Sequence, residues 1–316
     1  MELINHLRGV RVLCAVDAHG SFTAAARELG LTQSAISQHV STLERHLEVT
    51  LVDRGSRPAA LTEAGHALAR HGRSLLARLE DAEQEVAEVV GRRAGRLRLG
   101  SFPTALATFV PPALARFRDQ RPGVRLTVLD DHLQALLPRL YDGELDVALV
   151  YDDPALPQRP DAELERVVLF DDRFRLVLPE RHPLAAGQAP LDLSALRRET
   201  WIGGMPGSTW FRIVQASCRA AGFEPDVGFS SDDYRGVQAF AAAGLGVAVV
   251  PGLAVAAGQV SGTRVRRLRA GGPSRQVLAV RPRDAFPTPA SLLMMETLAS
   301  VTASFRAPFR SPTARR

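Results

Sequence analysis

The chain has 316 residues, a length that suggests two or more domains. Its hydrophobic content of 46% and charged content of 23% are ordinary for a soluble globular protein. The net charge of +5 does not by itself indicate nucleic-acid binding, since residues 1–65 hold six arginines against seven carboxylates.

Cysteine use and the N-terminus bear on location. Cys14 and Cys218 provide no disulfide framework, which suits a reducing cytosol. Each lies in a helical apolar pattern, so we expect both to be buried. The opening MELINHLRGV lacks the pattern of a signal peptide. We therefore expect a cytoplasmic protein.

Three short helices are predicted at the start of the chain. Residues 4–18 carry apolar side chains at helical spacing up to Gly20. SFTAAARELG (21–30) predicts a second helix, capped by Ser21 or Thr23 and ended by a left-handed Gly30. Thr32 can cap a third helix that begins at Gln33. Two helices joined by so short a turn predict a helix-turn-helix.

The third helix has an unusual polar face. Opposite the apolar stripe of Ile36, Val40, Leu43 and Leu47 lie amides and hydroxyls instead of charges. In a helix-turn-helix the second helix enters the major groove, where Gln and Ser can pair with base edges. The alternative is a polar surface helix that happens to lack charge. The candidate base contacts are Gln33, Ser34, Ser37 and Gln38.

A small hairpin, or wing, is predicted after Leu47. A β-prone run at 49–52 is followed by a turn at Gly55 and Ser56 and a second run at 58–61. Arg54 and Arg57 on this hairpin can reach phosphate or the minor groove. The alternative is that both are solvated turn arginines.

Residues 21–65 as a whole resemble the DNA-binding domain of LysR-type transcriptional regulators. The shared pattern is Ser-Phe-Thr-x-Ala-Ala-x-x-Leu, Thr-Gln-Ser-Ala-x-Ser, Leu-Glu, Arg54 and Leu-Thr-x-x-Gly. Glu48 departs from the usual glycine, and LVDR replaces Leu-Phe-x-Arg at the entry to the wing. The resemblance implies a winged helix-turn-helix that binds double-stranded promoter DNA. The candidate DNA-binding residues are Ser21, Thr23, Thr32, Gln33, Ser34, Ser37, Gln38, Arg54 and Arg57.

A long helix is predicted from Thr62 to Val90. Its apolar residues follow a near-heptad rhythm, which indicates burial against a partner helix or against the same chain's second domain. The family resemblance favours a homodimer through this helix. His66 and His71 lie five apart, off metal-ligand spacing, and we assign no metal. We call the rhythm the linker seam: Leu68, Leu75, Leu79, Ala82, Val86 and Val89.

The last two hundred residues alternate between strand and helix patterns, which predicts an α/β domain with largely parallel sheets. The stretch 239–258 is long and apolar enough to imitate a membrane span. However, Gly244, Gly246, Pro251 and Gly252 divide it. We expect a helix, a glycine turn, a buried strand and a second helix.

Ligands of α/β sheets bind beyond the carboxyl ends of strands. Several segments here, such as RLRLGSFPTALATF and GLGVAVVP, resemble the effector-binding domain of the same regulators. That domain has two subdomains like those of periplasmic solute-binding proteins, with a small organic effector in the cleft between them. Each candidate alternatively just caps a helix or closes a turn. The candidate effector-binding residues are Ser101, Thr104, Gly204, Ser208, Thr209 and Ser231.

Paired carboxylates at predicted strand ends suggest that the effector has a cationic or hydroxyl-rich part as well as an acid group. The pairs are Asp130 with Asp131, Asp152 with Asp153, and Asp232 with Asp233.

The sequence thus predicts a regulator in four parts: a winged helix-turn-helix domain (1–61), a linker helix (62–91), an effector-binding domain (92–306) and a disordered basic tail (307–316). Within the third part, subdomain I covers about 92–168 and 275–306, and subdomain II covers about 169–274. The resemblance implies a homodimer or homotetramer, with RNA polymerase as a further partner if the protein is an activator.

Two other classes of protein fit the sequence less well. A small-molecule sensor or solute-binding protein acting through protein contacts is the alternative function. An enzyme is disfavoured, because we find no Gly-x-Ser-x-Gly elbow, dinucleotide loop or metal-spaced His/Cys cluster. We expect no cofactor.

Overall fold

The computed structural model of the chain describes residues 3–53, 55, 60–89, 95–152, 163–283 and 287–305. Its described part divides into two compact units. The first holds the N-terminal helices together with residues 123–127 and 134–146, and the second holds most of the later strands and helices. The predicted tail at 307–316 lies outside the described residues.

Three helices follow a single 3-10 turn, Leu3–His6, at the N-terminus. They are α1 (Leu7–His19), α2 (Phe22–Leu29) and α3 (Gln33–Leu47). Gly20 and Gly30 end the first two with φ of 57° and 64°, a left-handed conformation that glycine adopts without steric cost. Ile36, Val40 and Leu43 are fully buried in the core that these helices share. The predicted helix-turn-helix is therefore confirmed.

The predicted wing is also confirmed. Strand β1 (Val52–Asp53) pairs antiparallel with β2 (Ala60–Leu61). Helix α4 (Glu63–Val89) follows at once. The Thr62 hydroxyl accepts a hydrogen bond from the Gly65 N–H at 3.1 Å, the contact expected of a helix cap.

The remaining elements are a mixture of strands and helices that alternate in part, with strands following one another at two places. They are β3 (Arg96–Ser101), α5 (Pro103–Leu106), α6 (Val110–Gln120), β4 (Arg125–Asp130), α7 (Leu133–Tyr141), β5 (Val147–Asp152), β6 (Leu164–Arg173), β7 (Arg175–Pro179), β8 (Thr200–Gly203), α8 (Thr209–Ala220), β9 (Asp226–Ser230), α9 (Tyr234–Ala242), β10 (Ala248–Val250), α10 (Gly252–Ala256), β11 (Thr263–Arg267), β12 (Ser274–Pro282) and α11 (Pro289–Phe305).

The strands form a five-stranded sheet in the order β4-β3-β5-β12-β6, a three-stranded sheet in the order β10-β7-β11, and the pair β8-β9. The prediction of largely parallel sheets was wrong. Strand β12 runs antiparallel to both β5 and β6, and β7 runs antiparallel to both β10 and β11. Parallel pairing joins β3 to β5 and β8 to β9. Strand β6 was not predicted from the sequence. It pairs antiparallel with β12, and the residues between these two strands form the segment from β7 to β11.

The apolar stretch at 239–258 folds as predicted. Helix α9 ends before Gly244, which has a φ of 78°, and β10 and α10 follow. Strand β10 is buried, and Val247, Val249 and Ala254 belong to the core around Trp201 and Trp210. Within the described ranges, no helix is both long and apolar enough to cross a membrane.

Candidate DNA-binding and effector sites

The N-terminus of α3 is fixed by its own side chains. The Thr32 hydroxyl accepts from the Ala35 N–H at 3.2 Å and lies 2.9 Å from Ser34 Oγ. Thr32, Gln33, Ser34 and Gln38 are exposed, and Ser37 is partly exposed. We call the polar surface formed by Gln33, Ser34, Ser37 and Gln38 the reading face. It stands in solvent on a helix whose other side is anchored in the core.

Ser21 and Thr23 lie at the start of α2. Ser21 is partly buried, and its hydroxyl accepts from the Ala24 N–H at 3.4 Å, so it caps the helix. Thr23, two residues after Ser21, is exposed. Of the two residues, Thr23 has the freer side chain for a phosphate contact.

The wing is tied to α3 by a residue that the sequence analysis did not single out. The Glu44 carboxylate accepts from the Leu51 N–H at 2.9 Å and from the Val52 N–H at 3.2 Å. Glu48, which ends α3, has a φ of 53° and is the one non-glycine residue with positive φ in the described chain. Position 48 therefore adopts the left-handed conformation even though its residue is not glycine. Arg54 and Arg57 lie outside the described residues.

The linker seam is mostly open to solvent. Leu75, Leu79 and Val86 are 47%, 46% and 64% exposed, so the described chain does not cover them. Leu68 departs from this pattern, because it packs partly buried against the N-terminal core. Large apolar side chains in a line on one helix indicate a surface that a partner covers.

Another face of α4 carries a charge network. Arg73 donates from Nη1 to Asp17 on α1 at 2.6 Å and from Nε to Asp142, just after α7, at 2.8 Å. His66 lies 3.2 Å from the same Asp17 carboxylate. One arginine of the linker helix thus contacts a helix of the DNA-binding domain and a turn from later in the chain.

The predicted effector residues fall into two groups. Ser101 ends β3, and Thr104 lies in α5. Both are buried. The other four gather where β8 and β9 end and α8 begins. Ser208 caps α8 through the Phe211 N–H at 3.2 Å, and the Ser231 N–H donates to the Gly203 carbonyl at 3.0 Å.

Gly204 is required by this second group. A Cβ at this position would lie 2.7 Å from Ser208 Oγ and 3.3 Å from Asp232 Oδ1. Gly204 is buried, whereas Ser208, Thr209 and Ser231 remain partly exposed. The structure therefore brings together Gly204, Ser208 and Ser231 with Thr209 at the helix start.

A buried ion pair that was not predicted from the sequence lies beside Thr104. Arg275 Nε donates to Asp172 Oδ2 at 3.0 Å, and Arg275 Nη2 donates to Thr104 Oγ1 at 2.8 Å. The side chains of Arg275 and Asp172 are 2% and 0% exposed. Burial raises the pKa of the Asp172 carboxyl, and its ion pair with Arg275 opposes that rise. The partners are 103 positions apart, and no local pattern indicates such a contact.

Several of the carboxylates at strand ends have partners within the described residues. Asp232 accepts from the Met205 N–H at 3.0 Å, and Asp233 caps α9. Asp152 pairs with Arg166 at 3.3 Å, and Asp131 accepts from the His132 N–H. Asp153 lies outside the described residues. These contacts give four of the six carboxylates a partner in the protein itself, and the expectation of a cationic or hydroxyl-rich part in the effector stays a prediction.

An exposed helix-turn-helix with a wing, a long linker helix and an α/β domain with polar groups at its strand ends together define a class of DNA-binding protein with a ligand-binding domain. Residues 7–66 match the model of the bacterial regulatory helix-turn-helix proteins of the lysR family, and residues 91–303 match the LysR substrate binding domain. The chain belongs to the LysR family of DNA-binding transcriptional regulators with an effector-binding domain.

Three known proteins illustrate the relationship. The transcriptional regulator CfxR of Cupriavidus necator is 30% identical over 83% of either chain. A probable hydrogen peroxide-inducible genes activator of Mycobacterium xenopi is 36% identical over 57% of this chain and 92% of its own. Full-length CbnR complexed with its target DNA has a TM-score of 0.64 at 22% identity, covering 93% of this chain and 99% of that one.

Proposed function

We propose that this regulator binds a partly palindromic promoter site as a homodimer or a homotetramer, with Gln33, Ser34, Ser37 and Gln38 in contact with base edges. A small organic molecule bound reversibly in the effector domain changes how the subunits sit on the DNA. Thr32, Arg54 and Arg57 contact the DNA backbone and so position the protein on it. If the protein is an activator, RNA polymerase is a further partner.

The exposed reading face carries this proposal. The side-chain amides of Gln33 and Gln38 form no hydrogen bond within the described ranges, while α3 itself is held by its cap and its core side. Amide groups on a rigid helix suit bidentate pairing with adenine N6 and N7. The likeness to CbnR, which has been solved with its target DNA, supports the same use of the fold.

The division between reading and positioning residues can be tested on the protein's own upstream DNA. Gln33→Ala is expected to lose about 1–3 kcal/mol of discrimination at one base pair, the value of a bidentate base contact. Arg54→Ala is expected to weaken binding to all sequences alike and to flatten its salt dependence. Gel shifts over a set of single-base operator variants and several salt concentrations give both quantities.

Gln134→Ala is the matched control, because it removes the same exposed side chain from α7. It should leave both quantities at the wild-type value. Equal losses for Gln33→Ala on every operator variant would refute base reading by this residue. Failure of the wild-type protein to shift any promoter fragment at low salt would favour the sensor that acts through protein contacts.

The linker seam supports the dimer. A charge at its centre has to be buried against a second copy, so Leu79→Glu is expected to weaken self-association by roughly 30-fold or more. Sedimentation velocity over a concentration series measures this. Arg70→Glu, an exposed change elsewhere on α4, should leave association unchanged. A Leu79→Glu protein that stays dimeric at the wild-type concentration would place the interface elsewhere.

A further inference from the structure

The buried ion pair joins parts of the effector domain that are distant in sequence. Asp172 on β6 and Arg275 on β12 are cross-strand neighbours. The second Asp172 oxygen accepts from the Leu253 N–H of α10 at 3.1 Å, while Arg275 reaches Thr104 in α5. We call Arg275, Asp172, Thr104, Phe102 and Tyr151 the arginine cluster.

Two aromatic rings hold the guanidinium in place. Arg275 Cζ lies 4.4 Å from the Tyr151 ring centroid and 5.0 Å from that of Phe102, and the two rings meet edge to face. A planar guanidinium that lies over two aromatic rings is held by cation–π attraction and loses little further freedom when it binds a ligand. The side chain is therefore preorganised.

This preorganised cation has hydrogen-bonding capacity left over. Nε and Nη2 donate to Asp172 and Thr104, but Nη1, with two N–H groups, donates to no atom of the described residues. Nη1 is not among the fully buried side-chain atoms of the described residues that lack a hydrogen-bond partner. The small exposed part of this side chain therefore includes Nη1, and an acceptor on a ligand can reach its N–H groups.

A neutral hydroxyl completes the surroundings. Burial raises the pKa of Tyr234, whose charge environment includes Arg275 and Tyr151, so that its phenol stays protonated at neutral pH and acts as a donor. Its ring packs on Trp210, 4.8 Å between centroids, at the start of α8. The cluster thus lies beside the helix that carries the second group of effector candidates.

We propose that Arg275 binds a carboxylate of the effector through Nη1. This inference rests on the proposed function, in which the effector domain takes a small molecule, and names the chemical class of that molecule. A single carboxylate fits because Asp172 already neutralises one positive charge. Arg175 is a second arginine whose charge acts on Asp172, so one positive charge is left to balance. A monoanion balances it, whereas a phosphate dianion would place an excess negative charge beside the buried carboxylate.

The pair also has a purely structural interpretation, in which Arg275 only fixes the two strands. The two interpretations differ in one measurable respect. A structural pair gives the same protein stability in any buffer of equal ionic strength, whereas a carboxylate site makes the folded protein more stable as carboxylate is added.

The experiment uses the full-length protein and small acids of graded size: formate, acetate and benzoate, each as the sodium salt at constant ionic strength. The neutral analogue benzamide and inorganic phosphate are run beside them. Thermal unfolding is measured for the wild type, Arg275→Lys and Arg281→Lys, and calorimetry gives Kd for the acid with the largest effect. Lysine at 275 keeps the charge that Asp172 needs but lacks the planar fork.

We expect at least one carboxylate to raise the Tm of the wild type, and benzamide and phosphate to leave it unchanged. Arg275→Lys should raise the Kd of that carboxylate by about tenfold or more, which is the effect of losing a charged hydrogen bond. Arg281→Lys, on the same strand and paired with Glu165, should bind as the wild type does.

No stabilisation by any of the three acids, equal stabilisation of wild type and Arg275→Lys, or stabilisation by phosphate instead would each overturn the carboxylate site. Gel shifts of Arg275→Lys without any acid separate this outcome from failure of the proposed function. The variant should bind promoter DNA like the wild type, because the arginine cluster is remote in sequence from the reading face and belongs to the second compact unit.

Discussion

The reading face of α3 and the arginine cluster of the effector domain use polar side chains in opposite ways. Gln33 and Gln38 are neutral, exposed and without partners in the described chain. Arg275 and Asp172 are charged, almost fully buried and bound to each other. Both are held by a rigid frame, α3 by its core side and Arg275 by two aromatic rings.

Under the proposed function, the difference follows from the size of the bound partner, which is DNA at the reading face and a small molecule at the arginine cluster. DNA cannot enter a protein, so the groups that read it must stand in solvent, where charge would favour phosphate over bases. A small molecule can be surrounded, and in a dry environment a charged hydrogen bond is strong enough to select it. Substitutions should therefore affect binding without stability at the first site, and stability as well as binding at the second.

The strongest test of this contrast is Asp172→Ala. It leaves the Arg275 charge buried without its carboxylate and removes the acceptor of the Leu253 N–H. We expect the free energy of unfolding to fall by about 3–5 kcal/mol. Urea unfolding followed by tryptophan fluorescence measures it, because both tryptophans lie in the core of the same unit.

Two controls accompany that measurement. Asp171→Ala removes the adjacent but exposed carboxylate, and Gln33→Ala removes a reading-face amide. Both should stay within about 0.5 kcal/mol of the wild type, as surface changes do. A loss at Asp171 as large as that at Asp172 would mean that burial does not separate the two kinds of site.

Glu48→Gly is expected to have a smaller and opposite effect. A non-glycine residue in the left-handed region costs roughly 1–2 kcal/mol, partly offset by the extra unfolded-state freedom of glycine. The expected gain is about 0.5–1 kcal/mol in the N-terminal domain, measured by far-UV circular dichroism during thermal unfolding. Glu48→Ala keeps the strained turn and should show no such gain. A gain of the same size for alanine would assign the effect to the carboxylate instead.

The features that the sequence predicted are those decided within a few residues. Caps at Ser21 and Thr32 and left-handed ends at Gly20 and Gly30 fix α1 to α3 locally, and the wing follows from a short turn. The reading face followed from the same periodicity. Glu44 was missed as a wing anchor because its partners are backbone groups seven and eight residues away.

Long-range pairing explains the remaining errors. Strand β6 was missed, and with it the antiparallel direction of β12, because strand direction depends on which segments meet and not on local pattern. Neither Arg275 nor Asp172 indicates this contact from its own position in the sequence. Only the pairing of β6 with β12 brings them together. Of the carboxylates at strand ends, Asp233 has local backbone partners, whereas Asp232 accepts from the Met205 N–H, 27 residues away.

The smallest expected effect concerns the two cysteines and separates this protein from a thiol-based sensor. Burial raises the pKa of Cys14 to about 11 and that of Cys218 to about 12. Cys14 donates to the Ala69 carbonyl at 3.4 Å, and Cys218 lies fully buried among Trp201, Ile213 and Val214. The thiolate is the reactive form, so at neutral pH both side chains should be inert.

We expect iodoacetamide at pH 7.5 to leave both cysteines of the native protein unmodified and to alkylate both in guanidinium chloride, as read by intact mass. Raising the pH to 9.5 should change little, because an ordinary thiol ionises near pH 8.5 and these ionise well above it. Hydrogen peroxide should likewise leave promoter binding unchanged, despite the 36% identity to a probable peroxide-inducible activator. The chain has only these two cysteines, so peroxide control through either one would contradict a signal delivered by a reversibly bound acid.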